Sequence, residues 1–437
     1  MRRSDRIIKR IAAWANALLF RRFEVRHEPG LTESGPQLAN GSHFGGFSDA
    51  LVLVHAMDRV PRFVGRDVIW KNPVARVVMN WVGAIPVHKP DDGGPSSNDQ
   101  MFRSAYEALG AGELVTIFPE GITVDDPSIA NIKTGSARIA LGARANGVEG
   151  LRLISAGIHY ENKAALRSDV FIDVGWEIDL DSEIGNYVRD GEAEDASNRD
   201  AVRALTDDME ARLRRAAPDF EDWATAHSLS EAAGVALRDP EARDADVGHA
   251  DRERLARLLD DASDEDQARV ESAMSTYQDD LDAMGFDDSM FVAGLEGPQQ
   301  FTWYVFRTLL IGFLLLPFAL VGAVVNWFPM LVVWLIGRMK VADAMMATIK
   351  PMGGLLIFLL TWSGWCMWGW SRNGLEGFAA IALLLPVYLF ALIAWTERLV
   401  LAAKAVRGFT KSRSLKDVYG QIADHRRDVV EAVAQAV

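Results

Sequence analysis

The stretch RFVGRDVIWKNPVARVVMNWVGAIPV, residues 62–87, decides the fold class of this chain. It begins and ends with short runs rich in β-branched and aromatic residues, RFVGR and GAIPV, which are typical of strands. Between them, NPVARVVMNWVG has the apolar spacing of a helix. The strand-like runs LVTIF, RLISAGIHY and DVFIDVGWEI follow, and helical segments such as NDQMFRSAYEALGAG separate them. This alternation predicts an α/β domain over residues 25–180.

Composition and charge exclude some classes of function. The 437 residues carry a net charge of -14, and because a nucleic-acid backbone needs a basic surface, we expect no nucleic-acid partner. Cys366 is the single cysteine, so no disulfide can form within the chain. The histidines are scattered, which makes a structural zinc site unexpected, and we predict that the chain needs no metal or other cofactor.

The first 24 residues predict an amphipathic helix. Apolar residues recur there at helical spacing with arginine and lysine residues nearby, as in helices that lie on an anionic membrane surface. A helix packed on its own domain has the same pattern, so both interpretations stand. The segment lacks a long apolar run and a small-residue cleavage site, so we do not interpret it as a signal peptide.

Residues 181–300 are acidic and helix-prone. Runs such as RDAVRALTDDMEARLRRAA and DRERLARLLDDASDEDQARVESAM carry apolar residues on one face. We interpret this region as a helical subdomain or lid. A purely connecting, solvated segment is the alternative, because runs of charge usually mark surfaces that face water.

Residues 301–403 are strongly apolar and predict a transmembrane region. Three nearly uncharged runs cover residues 304–336, 352–370 and 378–395. The first is too long for one span of about 20 residues, and its NWFP sequence, residues 326–329, predicts a tight hairpin or a re-entrant piece. Basic residues follow the first and last runs. If both sets are cytoplasmic, the chain crosses four times with both termini inside, and residues 404–437 form a cytoplasmic tail.

The motif HFGGFSD, residues 43–49, carries the predicted chemistry. At about 100° per residue, a wholly helical segment would turn His43 and Asp49 to different faces, so the chain must bend between them. Gly45 and Gly46 allow that bend before the helix predicted by DALVLVHAM. The carboxylate can then accept a hydrogen bond from one imidazole nitrogen and leave the other to take a proton from a substrate hydroxyl.

Four blocks in order resemble the glycerolipid acyltransferase superfamily: GSHFGGFSD, the basic block FVGRDVIWKNPVARVVMNWVGAIPVHK, FPEG at residues 118–121, and RLISAGIHY. The resemblance covers residues 21–179. It implies an acyltransferase-type mixed sheet flanked by helices, here followed by a helical segment and a C-terminal transmembrane region. It also implies a cell-membrane enzyme, multi-pass and with its catalytic domain on the cytoplasmic side, that moves an acyl group from acyl-CoA or acyl carrier protein to a glycerol-phosphate acceptor, with membrane lipids as partners.

The resemblance also implies roles for individual residues. His43 matches the general base and Asp49 the carboxylate that orients it. Acceptor-binding positions fall on Arg66, with Lys71 as a weaker candidate, and on Glu120, Gly121, Thr123 and Lys133. Because a carboxylate repels phosphate, Glu120 is better assigned to the glycerol hydroxyls or to local architecture. Within the superfamily, the spacer of the first block and the stretch FPEGITVDDPSIANIKTGSARIAL are most similar to a branch that includes fungal glycerol-3-phosphate/dihydroxyacetone-phosphate acyltransferases. This resemblance implies an unacylated acceptor such as glycerol-3-phosphate.

The sequence departs from the family pattern at several positions. An asparagine is common where Ser42 stands, an arginine is frequent two residues after Gly121 where Thr123 stands, and Ile154-Ser155 replaces a usual Val-Pro. The missing arginine weakens the lysophosphatidate assignment, and the changes at Ser42 and Ser155 leave room for a protein without activity. Three alternatives to a glycerol-3-phosphate acyltransferase stay open. They are a 1-acylglycerol-3-phosphate (lysophospholipid) acyltransferase, a non-catalytic membrane scaffold on the same fold, and a metal-dependent lipid hydrolase with His43 and Asp49 as ligands.

Overall fold

A seven-stranded sheet organises the first part of the chain, with strand order β1-β7-β6-β2-β5-β3-β4 in the computed structural model. The structure describes residues 3–32, 34–88, 98–238, 247–294, 298–414 and 416–437. The strands are β1 Phe20–His27, β2 Gln37–Gly41, β3 Arg62–Arg66, β4 Ile85–Val87, β5 Leu114–Ile117, β6 Arg152–Tyr160 and β7 Ser168–Asp179. The central strands pair in parallel, whereas β6 and β7 are antiparallel. The predicted mixed α/β sheet is confirmed.

Helices cover both faces of this sheet. They are α1 Arg3–Leu19, α2 Phe47–Ala56, α3 Pro73–Val82, α4 Asp99–Gly110, α5 Gly135–Ala145, α6 Leu180–Glu183 and α7 Arg199–Ala216. Successive residues of a strand point to opposite faces, and in β2 Leu38 packs with α4, α5 and α7 whereas Ala39 packs with α2. The sheet is therefore the middle layer of three.

Two predicted boundaries of this domain are wrong. The N-terminal helix ends at Leu19 and not at residue 24, because residues 20–27 pair with β7 as β1. The α/β unit also extends beyond residue 180: it comprises Met1–Glu221 together with Val341–Pro351. The charged run from Arg199 to Ala216 is α7, which packs on β6 and β7 through its buried apolar face and is not part of a separate lid.

The second unit comprises Asp222–Lys340 and Met352–Val437. Its helices are α8 Trp223–Leu237, α9 His249–Asp260, α10 Asp264–Met284, α11 Asp288–Gly294, α12 Pro298–Ile336, α13 Asp343–Ser414, whose first turns belong to the first unit, and α14 Lys416–Ala436. Helix α14 packs on α8 and α10. Within α13, Asn373 and Gly374 have non-helical backbone angles, so the long helix consists of two helices joined at a kink.

Helices α12 and α13 are long and apolar enough to cross a membrane. The predicted hairpin at residues 326–329 is wrong, because α12 continues through Pro317 and Pro329 as one helix of 39 residues. At about 1.5 Å per residue it is roughly 58 Å long, about twice the hydrocarbon core of a bilayer. The predicted four crossings required the chain to turn back at residues 326–329. Because α12 is continuous at these residues, that count has no basis. Large apolar side chains such as Phe313, 72% exposed, cover α12, as expected for a lipid-facing helix.

Candidate active site

Several predicted site residues, together with Tyr160, lie at one edge of the sheet, where several strands end. His43 follows β2, Glu120 and Gly121 follow β5, Arg66 ends β3 and Tyr160 ends β6. Because β2 is parallel to β5 and β6, and β3 is parallel to β5, all these strands point their carboxyl ends the same way. The carboxyl edge of such a sheet is where α/β proteins place their ligand sites. The topology therefore gathers residues that are far apart in the sequence.

The two glycines of HFGGFSD shape the turn between β2 and α2. Gly46, directly before α2, has a φ of 59°, a left-handed conformation that glycine adopts without a Cβ penalty. A Cβ on Gly45 would stand 2.9 Å from Asp49 Oδ1 and 2.9 Å from the Tyr160 hydroxyl. A side chain at either glycine would disturb the site, so the bend predicted from the sequence depends on both of them.

His43 and Asp49 form the predicted hydrogen bond. The His43 Nδ1 lies 2.8 Å from Asp49 Oδ2. A carboxylate can only accept here, so Nδ1 carries the proton and Nε2 keeps its lone pair. The ring stacks on Phe118 with centroids 4.3 Å apart and planes 16° apart, and the side chain stays 20% exposed. The pair thus has the geometry of an oriented base, while its catalytic role stays a prediction.

Asp49 is fully buried and its carboxylate is satisfied by several donors. Besides the imidazole, the Gly45 N–H donates to both oxygens at 2.9 Å and the Tyr160 hydroxyl donates to Oδ1 at 2.8 Å. Such donors are needed because burying an unpaired carboxylate costs several kcal/mol. Burial, together with the neighbouring charge of Asp49, raises the pKa of Tyr160 well above its ordinary value, so the phenol keeps the proton that it donates.

Glu120 braces the turn that holds His43. Its Oε1 accepts from the His43 N–H at 2.7 Å, its Oε2 accepts from the Ala130 N–H at 3.0 Å, and the side chain is 1% exposed. Burial raises the pKa of Glu120, while the two backbone donors lower it in part. With both oxygens engaged by backbone, local architecture is the favoured one of the two roles considered from the sequence.

Gly121 and Lys133 lie together in the structure. Gly121 has a φ of 68°, and a Cβ there would stand 2.8 Å from Lys133 Nζ. The Lys133 N–H also donates to the Pro119 carbonyl at 2.9 Å, which ties the two ends of this loop. Thr123 lies in the same loop, one residue before Val124, whose N–H donates to the His43 carbonyl at 3.1 Å. These contacts place the loop beside the His43 backbone.

Arg66 and Lys71 lie on the exposed surface beyond β3. Arg66 ends that strand, and Lys71 ends the 3-10 helix Asp67–Lys71 that follows it. Between them, Asp67 Oδ2 lies 2.7 Å from His88 Nδ1. This second histidine–carboxylate pair stands just after β3 and β4. Sequence reasoning missed it, although both residues lie within the basic block, because they are 21 positions apart in the chain.

Three further groups around the pair were not predicted from the sequence. Tyr160 and Phe118 belong to matched blocks, and their positions at strand ends were the available signal. Ser42, which departs from the family pattern, is fully buried, and its Oγ accepts from the Ile158 N–H at 2.9 Å. Ser42, the residue after β2, is thus hydrogen-bonded to β6 one position before His43. Among the described residues, no group of three histidine, cysteine or carboxylate side chains could hold a metal ion.

A model of the acyltransferase family matches residues 22–156, which include β2 to β5, all but the start of β1, and the first half of β6. This region of the chain is an acyltransferase domain. The recognition made from the four blocks is thereby confirmed. His43, Asp49 and Glu120 all lie within the matched range.

Curated relatives and a solved structure resemble parts of the chain. Glycerol-3-phosphate O-acyltransferase 2 of Saccharomyces cerevisiae is 30% identical over 28% of this chain, and Glycerol-3-phosphate O-acyltransferase 1 is 25% identical over 29%. The matched stretch spans only 16% of each of these relatives. The crystal structure of the 1-acyl-sn-glycerophosphate acyltransferase PlsC from Thermotoga maritima is 15% identical, with a TM-score of 0.36 over 48% of this chain and 77% of that chain.

Proposed function

We propose that this protein transfers a fatty acyl group from a thioester to a hydroxyl of glycerol-3-phosphate. The observation that carries the proposal is the 2.8 Å contact between His43 and a buried Asp49 inside an acyltransferase domain. The partial similarity to the yeast glycerol-3-phosphate acyltransferases supports the choice of acceptor.

The reaction needs one base and no covalent intermediate on the protein. The Nε2 of His43 takes the proton of the acceptor hydroxyl, and the oxygen attacks the thioester carbonyl carbon to give a tetrahedral intermediate. Its collapse breaks the carbon–sulfur bond, and the leaving thiolate takes the proton from the imidazolium. Asp49 holds the ring in the required tautomer and stabilises the imidazolium while it exists.

Cationic side chains are the natural ligands for the acceptor phosphate. Arg66 supplies a guanidinium that can make paired, charge-assisted hydrogen bonds to phosphate oxygens, with Lys71 as a weaker candidate. Lys133, against Gly121, supplies an ammonium in the loop that also holds Glu120. We assign Thr123 to the same acceptor site because it lies in that loop.

The donor is acyl-CoA or acyl carrier protein, and the product belongs in a membrane. Each methylene removed from water contributes about 0.8 kcal/mol, so release of a long acyl chain into lipid avoids a large cost. The long apolar helices α12 and α13 support membrane association. We propose a multi-pass protein of the cell membrane, with membrane lipids as partners and the catalytic domain on the cytoplasmic side.

Lipid analysis of purified full-length protein in lipid nanodiscs tests the proposal. The protein is incubated with labelled acyl-CoA and either glycerol-3-phosphate or 1-acylglycerol-3-phosphate. We expect labelled 1-acylglycerol-3-phosphate from the first acceptor, and a His43→Ala loss of about 10²- to 10⁴-fold in rate. His227→Ala is the matched control, because that histidine is 75% exposed and pairs with Glu231 in α8.

The other outcomes decide between the alternatives. Product from 1-acylglycerol-3-phosphate alone would make the protein a lysophospholipid acyltransferase. No product with either acceptor would favour a scaffold. Full activity of His43→Ala would remove the mechanism.

A further inference from the structure

The start of α13 holds the first turn of α2. We call residues 343–350 the clamp segment. It belongs to the same unit as the acyltransferase domain, although its Thr348 lies 301 positions after Phe47, the first residue of α2, in the sequence. We propose that Thr348 of the clamp segment, with the Ala347 carbonyl, positions the His43–Asp49 pair for catalysis. This proposal rests on the proposed acyl-transfer function.

Helix α2 lacks a cap of its own. The first N–H groups of a helix have no partner within it and usually bond to a side chain at the N-cap position. Here the N-cap is Gly46, which has no side chain to offer. The Phe47 N–H instead donates to the Thr348 Oγ1 at 3.2 Å, and that hydroxyl lies 3.5 Å from the Ala344 carbonyl within its own helix. A residue distant in sequence therefore caps α2.

A second contact reinforces this cap. The Ser48 hydroxyl donates to the Ala347 carbonyl at 2.8 Å, and Ser48 is 4% exposed. Gly46 fits closely against the clamp segment: a Cβ there would collide with Thr348 Oγ1. The Phe47 and Ser48 contacts hold the two residues that immediately precede Asp49. A shift of this turn would move the carboxylate that orients the His43 ring.

The clamp segment is itself held by other residues of the first unit. The Ala344 N–H, in the first turn of α13, donates to Asp125 Oδ1 at 2.8 Å, and a carboxylate is favourable at a helix N-terminus. Asp125 also pairs with Lys163 at 2.6 Å. The Lys350 ammonium donates to the Ala164 carbonyl. The segment is therefore fixed at both ends on the unit whose helix it caps.

The positioning role predicts an effect on turnover rather than on binding. Thr348→Val keeps the shape of the side chain and removes the hydroxyl that accepts from Phe47. We expect kcat to fall about tenfold to hundredfold with the KM of both substrates unchanged, because small misplacement of a catalytic group has this scale of effect. Thr348→Ser keeps the hydroxyl and should restore kcat. Thr361→Val is the matched control, since that hydroxyl donates to the Ile357 carbonyl of its own helix.

A readout that needs no substrate separates this proposal from the proposed function. Hydrogen–deuterium exchange of the peptide that contains residues 43–49 is measured in the full chain in nanodiscs. We expect faster exchange in Thr348→Val than in wild type and Thr361→Val. Ser48→Ala, which removes only the hydroxyl donor to Ala347, should also make exchange of this peptide faster. It provides a second test in case Thr348→Val does not fold.

The outcomes are distinct. Slower turnover with faster exchange supports the positioning role. Unchanged exchange in both variants, or unchanged kcat in an active enzyme, overturns it. If wild type acylates no acceptor while exchange still accelerates in Thr348→Val, the proposed function fails and the capping of α2 by the clamp segment stands.

Discussion

Replacement of Asp49 by asparagine is the sharpest test of the paired base. In wild type, Asp49 accepts at Oδ2 from His43 and at Oδ1 from Tyr160, and the Gly45 N–H reaches both oxygens. Asparagine has one acceptor oxygen and one NH₂ donor. With the NH₂ facing His43, the ring proton must move to Nε2, which removes the base. With the NH₂ facing Tyr160, the ring keeps its tautomer but the anion is lost. In either orientation the NH₂ group faces the Gly45 N–H, so two donors point at each other.

The expected loss follows from these contacts. A hydrogen bond to a charged group contributes about 1.5–3 kcal/mol. Since about 1.4 kcal/mol corresponds to a factor of ten, loss of the anion alone lowers kcat by roughly 10- to 10²-fold. Where the tautomer changes as well, the loss approaches that of the base itself, about 10⁴-fold. We therefore expect a fall of at least about tenfold in kcat, with a much smaller change in KM.

The assay measures initial rates of labelled acyl transfer to glycerol-3-phosphate by full-length protein in nanodiscs. Asp58→Asn is the matched control, because Asp58 is exposed just beyond the other end of α2. Thermal unfolding of each variant reports whether the fold survives. A folded Asp49→Asn enzyme with the wild-type kcat would refute the reasoning.

Three further predictions concern the neighbours of the pair. Tyr160→Phe removes the phenol donor to Asp49 and should lower kcat about tenfold in the same rate assay. An unchanged rate would mean that the Gly45 N–H and the imidazole hold the Asp49 carboxylate in place without the phenol. Burial raises the pKa of Glu120, so its contribution to stability is full below the unfolded value of 4.5 and is lost as pH rises through the folded pKa. Denaturant unfolding should therefore show the free energy of unfolding of wild type falling relative to Glu120→Gln as the pH rises above 4.5, and a flat or rising difference contradicts this. Gly121→Ala places a Cβ 2.8 Å from Lys133 Nζ, at a φ of 68°; KM for the acceptor should rise several-fold while KM for the acyl donor stays the same, and an unchanged acceptor KM would remove Lys133 from that site.

Short runs rich in β-branched and aromatic residues predicted several of the strands. Strands without such a run were missed. RFVGR and RLISAGIHY are strands β3 and β6 to the residue. QLANG, the strand β2 that carries His43 at its end, has little intrinsic β preference and is fully buried between β5 and β6. Burial and pairing therefore override propensity at the centre of the sheet.

Long-range packing also explains the wrong boundaries. The many charged residues of α7 suggest a solvent-exposed helix when only the sequence is considered. In the structure its Leu205, Met209 and Leu213 are buried in the domain core. The turn expected near Pro329 failed for a related reason. Proline ends most helices in water, but α12 continues through it, as apolar helices of membrane proteins often do.

The amino-acid sequence by itself determined the acyltransferase domain, the bend at Gly45 and Gly46, and the histidine–aspartate pair, because these depend on residue types at short, fixed spacing. Only the tertiary structure decided that Tyr160 donates to Asp49 and that Thr348 caps α2. Both contacts join segments more than a hundred residues apart. A hydrogen bond depends on where the folded chain brings two atoms, and no local pattern of residues records that distance.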